Sequence, residues 1–182
     1  MNDAATDSSE RDSFRERALR CAIASQLLAE HTGLIEPAAA YALGLMHDIG
    51  LSLLNESFPG EMKIVSGLIE KERSDAEVEM FGVDHAQIGE WILERCGVPR
   101  VFASLVQTHH DGLRSNAPTA LMFHVAACLA HADDAYKLAA LDALGSDRLH
   151  VIGLNRSVLA TIYGRVASVV EEQLMTYSLG NA

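Results

Sequence analysis

The sequence predicts an all-α protein with a single compact, multi-helix domain. Hydrophobic residues make up 49% of its 182 residues but aromatic residues only 5%, so the core is expected to consist of Ala, Leu, Val and Ile side chains, which suit packed helices. The alternation of polar and apolar residues that is typical of strands does not persist over more than a few residues. We expect the domain to span residues 13–182, behind a polar tail of residues 1–12.

Capping residues and prolines indicate where the helices begin and end. Ser13 and Glu16 form a capping box, in which each side chain accepts a hydrogen bond from the other residue's backbone N–H. Pro37 suits the first position of a helix, and Gly33 suits the end of one because glycine adopts the left-handed conformation at low cost. The helices predicted in this way are 13–32, 37–48, 59–73, 74–81, 84–96, 99–110, 118–133 and an amphipathic helix after Asn155, with one or two helical turns between 139 and 144.

Charge and hydropathy exclude two classes of function. The formal net charge is −11 and no basic stripe interrupts it, so binding to nucleic-acid backbones is not expected. No apolar stretch is long enough to cross a bilayer and the N-terminus is polar, so we expect a cytoplasmic protein without membrane association. The cysteines, Cys21, Cys96 and Cys128, are odd in number and widely spaced, which indicates buried thiols rather than disulfides or a zinc–thiolate site.

Four histidines and one aspartate at predicted helix ends are the main indication of function. His47 and Asp48 end an apolar helix, His85 falls in the first turn of another, and His109 and His110 end a third. Nitrogen and carboxylate ligands suit a transition metal or a phosphate-handling site. A hydrogen-bonded core histidine is the ordinary explanation for any one of these residues. For the whole set, we expect a shared pocket and a candidate metal site for iron, zinc or manganese.

The other histidines are expected to have smaller roles. His31 lies in the last turn of the first helix, where the helix dipole favours a cation. His124 is expected to be a hydrogen-bonded core histidine or to support a ligand, whereas His131 and His150 are expected at the surface.

Three blocks of the sequence resemble the HDOD family, relatives of the HD-domain and HD-GYP metal-dependent phosphohydrolases. The blocks are ALGLMHDIG at 42–50, FGVDHAQIG at 81–89, and the segment 98–110 that ends in the two histidines. The resemblance covers residues 14–177 and implies an HD-like helical fold. It also implies a regulatory role in bacterial signal transduction.

Two positions depart from the pattern of active HD enzymes. The resemblance places Arg17 where those enzymes have a metal-binding histidine, and Ala127 where they have a final metal-binding aspartate. Asp133 and Asp134 lie further along and cannot replace that aspartate. A dinuclear hydrolase needs carboxylates that bridge two metals, so these losses disfavour catalysis. We predict that an ion pair between Arg17 and Asp48 replaces the metal as a structural clamp.

A third departure is the lack of the helical half that usually precedes the HD-like half in this family. That half would cover apolar surface, so either this chain buries that surface differently, or, as we expect, a protein partner or a homo-oligomer covers it.

Three functions remain open at this point. The first is a non-catalytic HDOD regulatory module that acts through protein association or ligand sensing. The second is a metal-dependent phosphohydrolase that acts on a nucleotide or cyclic dinucleotide, with Arg100 and Arg114 as candidate phosphate contacts. The other basic residues, Lys63, Lys71 and Arg73, are expected on a solvated helix face. The third is a helical scaffold whose polar cluster is a remnant hydrogen-bond network.

Overall fold

The predicted all-α class is confirmed by a computed structural model. The structure describes residues 3–65, 68, 70–112, 115–131 and 134–180, and within them it contains eleven helices and no strand. The helices are α1 (Asp3–Thr32), α2 (Pro37–Leu45), α3 (Ile49–Ser57), α4 (Pro59–Val65), α5 (Glu70–Phe81), α6 (His85–Arg95), α7 (Arg100–Gln107), α8 (Pro118–Ala130), α9 (Asp134–Leu144), α10 (Ser146–Val151) and α11 (Arg156–Gly180). None of the described helices is long and apolar enough to span a membrane.

Several predicted caps are confirmed. Gly33 follows α1 with a φ of 66°, the left-handed conformation that only glycine adopts without strain. At the start of α6, the Asp84 side chain accepts a hydrogen bond of 2.9 Å from the backbone N–H of Gln87. At the start of α11, the Asn155 side chain accepts one of 3.0 Å from Val158.

Other predicted boundaries are wrong. α1 begins at Asp3 rather than at Ser13, because no Gly or Pro interrupts residues 3–32 and the helix continues through the predicted cap. Ser74 likewise lies inside α5, and the helix that begins at Pro59 ends at Val65 rather than near residue 73. α3 was not predicted. It begins at Ile49, directly after Asp48, whose side chain makes no capping hydrogen bond.

The core is built around α8, which is buried on every face and is therefore surrounded by other helices. α1 packs along α8, and α11 packs along α1. Of the apolar residues predicted for the face of α11, Leu159, Ile162, Val166 and Val170 are buried, Val158 and Val169 are partly buried, and Leu174 is exposed. Cys21 and Cys128 are buried thiols as predicted, but Cys96 is exposed because it ends α6 at the surface.

Two glycines allow the close helix contacts that position the candidate site. A Cβ at Gly44 would lie 2.6 Å from the carbonyl oxygen of Cys21, so α2 rests directly on the backbone of α1. A Cβ at Gly50 would lie 2.0 Å from the carbonyl oxygen of His85, so α3 rests on the start of α6. Both contacts are closer than any side chain permits, and they bring the α2–α3 turn against α1 and α6.

Candidate functional site

Three helix ends meet at one buried cluster. His47 and Asp48 lie in the turn between α2 and α3, His85 is the first residue of α6, and His109 and His110 follow α7. One ligand atom from each of Asp48, His85, His109 and His110 lies within 4.8 Å of the others, so these four residues could hold a metal ion. All of the cluster is buried except His110, which is partly buried.

The two oxygens of Asp48 face different groups. Oδ1 lies 3.5 Å from Nε2 of His109 and 3.8 Å from Nε2 of His85. Oδ2 lies 2.7 Å from the Arg17 guanidinium and 3.1 Å from Nε2 of His47. The predicted ion pair between Arg17 and Asp48 is thus confirmed. His47, one of the five predicted ligands, lies on the Oδ2 side and outside the four-residue group.

Backbone carbonyl groups fix the orientation of two of the imidazole rings. Nδ1 of His47 lies 2.8 Å from the carbonyl oxygen of Gly44, and Nδ1 of His109 lies 2.5 Å from that of Val106. A carbonyl only accepts, so Nδ1 carries the proton in both rings. Nε2 of each ring is consequently turned toward the Asp48 carboxylate, an arrangement that is typical of metal-binding histidines.

Glu77 fixes the third ring and was not predicted as a site residue. Its side chain is fully buried, and Oε2 accepts hydrogen bonds from both Nδ1 (2.6 Å) and the backbone N–H (2.8 Å) of His85. Among the described residues, Oε1 has no hydrogen-bond partner. In the sequence, Glu77 has the pattern of a capping-box partner of Ser74, and nothing local distinguishes it from the exposed Glu79 on the same helix.

His85 and His110 contact each other directly through their Nε2 atoms, which are 2.9 Å apart. Because Nδ1 of His85 donates to Glu77, Nε2 of His85 accepts this hydrogen bond and Nε2 of His110 donates it when no metal is bound. Burial, together with the neighbouring His109 and His85, lowers the pKa of His110 well below its usual value. His110 is therefore neutral, the form in which an imidazole ligates a metal.

The Oδ2 side of Asp48 is an ionic cluster. Burial alone would raise the pKa of Asp48, but the charges of His47 and Arg17 outweigh burial and hold the pKa well below its usual range. Burial likewise opposes the charged form of His47, yet the Asp48 carboxylate raises the pKa of this histidine well above its usual value. An imidazolium and a guanidinium thus share one carboxylate oxygen.

The remaining histidines differ in how they relate to the cluster. Nδ1 of His124 donates a 2.7 Å hydrogen bond to the carbonyl oxygen of His109, and burial lowers the pKa of His124, so it is the supporting core histidine that was predicted. His150 is exposed as predicted. His131 was expected at the surface, but it is partly buried and lines the cavity beside Asp48, because α8 ends there. Nε2 of His31 lies 3.1 Å from the carbonyl oxygen of Gly153.

A small cavity adjoins the cluster. It has a volume of about 20 Å³, and Ala127 lines it together with Arg17 and Asp48. A void of this size holds about one water molecule.

A wider cleft opens beyond Arg17, with a volume of about 390 Å³. Its basic lining residues are Arg17, Arg20, Arg73 and His131. Arg73 was expected on a solvated face, but it is half-buried here. Arg100 is an exposed residue 3.5 Å from Glu94 and lines neither cavity, whereas Arg114 and the Lys71 side chain lie outside the described residues.

The four-residue group fits a single metal ion. Metal–ligand distances of about 2.0–2.2 Å place neighbouring ligand atoms roughly 3.0–3.5 Å apart. Three of the six distances between donors in the cluster are 2.9, 3.5 and 3.8 Å, and all six are within 4.8 Å, so modest side-chain movements would bring the donors to an ion. In addition, Nε2 of His109 is buried and has no hydrogen-bond partner among the described residues, as expected of an atom whose partner is an ion.

The model of the HDOD domain family matches residues 1–112, more than half of the chain. The chain belongs to the HDOD family. No curated protein matches its sequence.

Three solved structures share the fold of this HDOD protein. The MmoQ response regulator of Methylococcus capsulatus is 23% identical, with a TM-score of 0.66 over 84% of this chain and 60% of its own. An HDOD domain protein of unknown function from Geobacter sulfurreducens is 22% identical, with a TM-score of 0.65 over 89% and 60%. A protein from Shewanella amazonensis SB2B, assigned provisionally as a phosphohydrolase, is 22% identical, with a TM-score of 0.60 over 87% and 58%. This HDOD chain thus spans about three fifths of the length of each.

Proposed function

We propose that this HDOD protein is a non-catalytic regulatory module that acts through protein association or ligand sensing. The observation that carries the proposal is the 2.7 Å ion pair between Arg17 and Oδ2 of Asp48. In a dinuclear hydrolase, metals share bridging carboxylates, activate water and neutralise phosphate. Here a fixed guanidinium neutralises the oxygen that a second metal would need.

The size of the cavity beside the cluster supports the same conclusion. Pockets that bind small-molecule substrates have volumes of about 300–1,000 Å³. The cavity bordered by Asp48 and Ala127 has a volume of about 20 Å³, so a nucleotide does not fit against the cluster.

The four donor atoms that the Arg17 contact leaves available suit a structural metal ion. Oδ1 of Asp48 and Nε2 of His85, His109 and His110 supply four protein ligands, and a metal bound by four protein ligands has no open position for substrate in a tetrahedral site. Zinc, or iron in a similar environment, would stabilise the junction of α3, α6 and α7. This role requires only one ion and leaves the Arg17 contact intact.

The fold likeness to a response regulator supports a role in signalling. The two sequences are 23% identical and the match covers 60% of the regulator. A shared fold by itself does not assign a role, so the signalling role is our inference for this chain. Association with a partner is consistent with several large apolar side chains that are exposed on the described helices, among them Ile64, Trp91 and Val101.

One observation favours phosphohydrolase activity as a second candidate. The cleft beyond Arg17 is about 390 Å³ in volume, and its lining includes the guanidinium groups of Arg17, Arg20 and Arg73, which suit a phosphate group, together with the Glu16 carboxylate that pairs with Arg20. A phosphate in this cleft would lie on the Arg17 side of Asp48, which is the side without the histidine donors.

The two candidates are distinguished by metal content and hydrolysis, measured on the same preparations. We would determine iron, zinc and manganese in the purified protein and assay bis(p-nitrophenyl) phosphate and a cyclic dinucleotide with each metal added. The regulatory module predicts at most one equivalent of metal and no hydrolysis above that of the isosteric Asp48→Asn variant. Two equivalents of metal, with hydrolysis that Asp48→Asn abolishes, would establish the phosphohydrolase instead.

A further inference from the structure

A set of buried contacts on the core helix α8 lies behind the Asp48 cluster. His124 is 8% exposed, and its Nδ1 donates a hydrogen bond of 2.7 Å to the carbonyl oxygen of His109. Because a carbonyl oxygen only accepts, Nδ1 of His124 carries the proton and Nε2 is the acceptor. The Cys128 thiol, one turn further along α8, lies 3.5 Å from this Nε2 and donates to it. Both nitrogens of the His124 ring are therefore held in place.

The backbone that follows α7 also rests on the His124 ring. A Cβ at Gly112 would lie 2.1 Å from Cγ of His124 and 2.2 Å from its Cδ2. Only a residue without a side chain permits so close an approach. The segment that carries the donors of His109 and His110 thus contacts His124 at two points, the His109 carbonyl group and Gly112.

This segment lies beyond the regular hydrogen bonding of α7, which ends at Gln107. The backbone N–H of His109 bonds to the carbonyl oxygen of Val106 at 3.4 Å, and that of Asp111 bonds to Thr108 at 2.9 Å. Both bonds reach back three residues, whereas those of an α-helix reach back four, and bonds of the shorter kind have poorer geometry. The contacts with α8 therefore add a constraint that α7 does not supply.

The position of His109 also sets that of His110. The two rings are in contact, with centroids 3.6 Å apart, and Nε2 of His110 lies 2.9 Å from Nε2 of His85. Nε2 of His109 lies 3.5 Å from Oδ1 of Asp48, a separation that suits two ligands of one ion. A shift of the His109 backbone would consequently move two of the four donor atoms away from the other two.

We propose that His124 is a positioning residue for the metal site and holds His109 and His110 at the distance from Asp48 that one ion requires. It acts through backbone atoms, at the His109 carbonyl group and at Gly112, rather than by ligation. Hydrogen-bonding partners behind metal ligands typically change metal affinity by about 10–100-fold. This role of His124 rests on the proposed function, in which the ion is structural, and identifies a residue that sets the affinity for that ion.

The test is titration of the metal-free full chain with cobalt(II). The visible absorption of cobalt depends on the number and geometry of its ligands, so one titration reports both affinity and coordination. His124→Leu retains an apolar side chain but removes the donor to His109, and we expect about 10–100-fold lower affinity with an altered spectrum. In His124→Asn, the side-chain amide places an N–H close to where Nδ1 stood, so most of the wild-type affinity and the wild-type spectrum should return.

A histidine that serves only core stability gives a different result. His124→Leu would then change the melting temperature of the metal-free protein, while the cobalt affinity and spectrum of the folded protein stayed as in wild type. The matched histidine control is His150→Asn at an exposed position of α10, which should behave as wild type.

Gly112→Ala tests the second contact from the side of the segment. Its Cβ would overlap the His124 ring, so the segment must shift and cobalt affinity should fall. The control is Gly164→Ala on α11, where a Cβ meets no atom within 4 Å and cobalt affinity should stay unchanged.

Three results would overturn this role: wild-type affinity and spectrum in His124→Leu, no recovery in His124→Asn, or no cobalt binding by the wild type. The last would remove the structural ion but leave a non-catalytic module, whereas hydrolysis with two equivalents of metal would overturn the proposed function whatever these variants show. Circular dichroism melting identifies a variant that fails to fold. If His124→Leu is such a variant, wild-type affinity in His124→Asn with reduced affinity in Gly112→Ala supports the role, and any other pair of results excludes it.

Discussion

The guanidinium of Arg17 lies 2.7 Å from Oδ2 of Asp48 and joins the middle of α1 to the turn between α2 and α3. The two oxygens of the Asp48 carboxylate therefore have different partners. Oδ2 belongs to an ionic cluster with Arg17 and His47, while Oδ1 remains directed to His85 and His109. The Arg17 guanidinium therefore neutralises Oδ2 and leaves Oδ1 to the histidine side of the carboxylate.

The Arg17→Met variant tests the contribution of this ion pair. It leaves a buried carboxylate without its guanidinium partner, although the His47 imidazolium stays beside it. We expect the free energy of unfolding to fall by about 2 kcal/mol, which is less than for a fully buried pair because the Arg17 side chain is 22% exposed. Urea denaturation at neutral pH measures the change.

The matched control is Arg20→Met, three residues further along α1. Arg20 pairs with Glu16 one turn away, and because the Glu16 carboxylate is 40% exposed, whereas Asp48 is 5% exposed, the loss of this pair is expected to cost at most about 0.5 kcal/mol. Equal losses in the two variants would contradict a special role for Arg17.

Substitution of Gly50 tests the close contact that positions His85. In Gly50→Ala, the new Cβ would overlap the backbone oxygen of His85, so α3 or α6 must shift, at a cost of about 2–3 kcal/mol. The control is Gly164→Ala on α11, where a Cβ meets no atom within 4 Å and the substitution should gain up to about 1 kcal/mol. Thermal melting should therefore move in opposite directions in the two variants, and a neutral Gly50→Ala would show that the contact can relax.

The Glu77→Gln variant tests whether Glu77 orients His85 for metal binding. Glutamine has the same shape but lacks the charge that strengthens the 2.6 Å bond to Nδ1. Loss of such an orienting group lowers metal affinity by about 10–100-fold. Zinc affinity is measured by competition with a chromogenic chelator, with Glu79→Gln on the exposed face of α5 as the control. The role assigned to Glu77 is excluded if both variants retain the wild-type affinity.

The raised pKa of His47 predicts a pH dependence of stability in metal-free protein. Because Asp48 stabilises the charged imidazole in the folded state, this contribution is fully present below the unfolded pKa of about 6.5 and is lost as the pH rises through the higher folded value. The wild type should be more stable than His47→Gln at pH 6, and the difference should shrink toward alkaline pH. Chelator-treated protein is unfolded in urea across this range, with His150→Gln as a surface control that should show no such trend.

Much of the fold could be predicted because helix ends depend on local interactions. The caps at Gly33, Asp84 and Asn155 involve residues within one turn of each other, so their signals are complete in the sequence. The missed α3 has the converse explanation, because the Asp48 carboxylate is engaged by groups from other helices and does not cap. Ser13 and Ser74 have the residue pattern of caps but lie inside longer helices, α1 and α5, so a capping pattern alone does not show that a helix starts there.

The sequence by itself determined that this is an all-α chain and that histidines and an aspartate gather at helix ends, since composition, caps and residue type are properties of short segments. Only the tertiary structure decided how the two oxygens of Asp48 are shared and that the buried Glu77 orients His85. Those relationships join groups on different helices or depend on which face of a helix is covered. They are set by how closely the helices pack, as at Gly44 and Gly50, and no local pattern of residues specifies that distance.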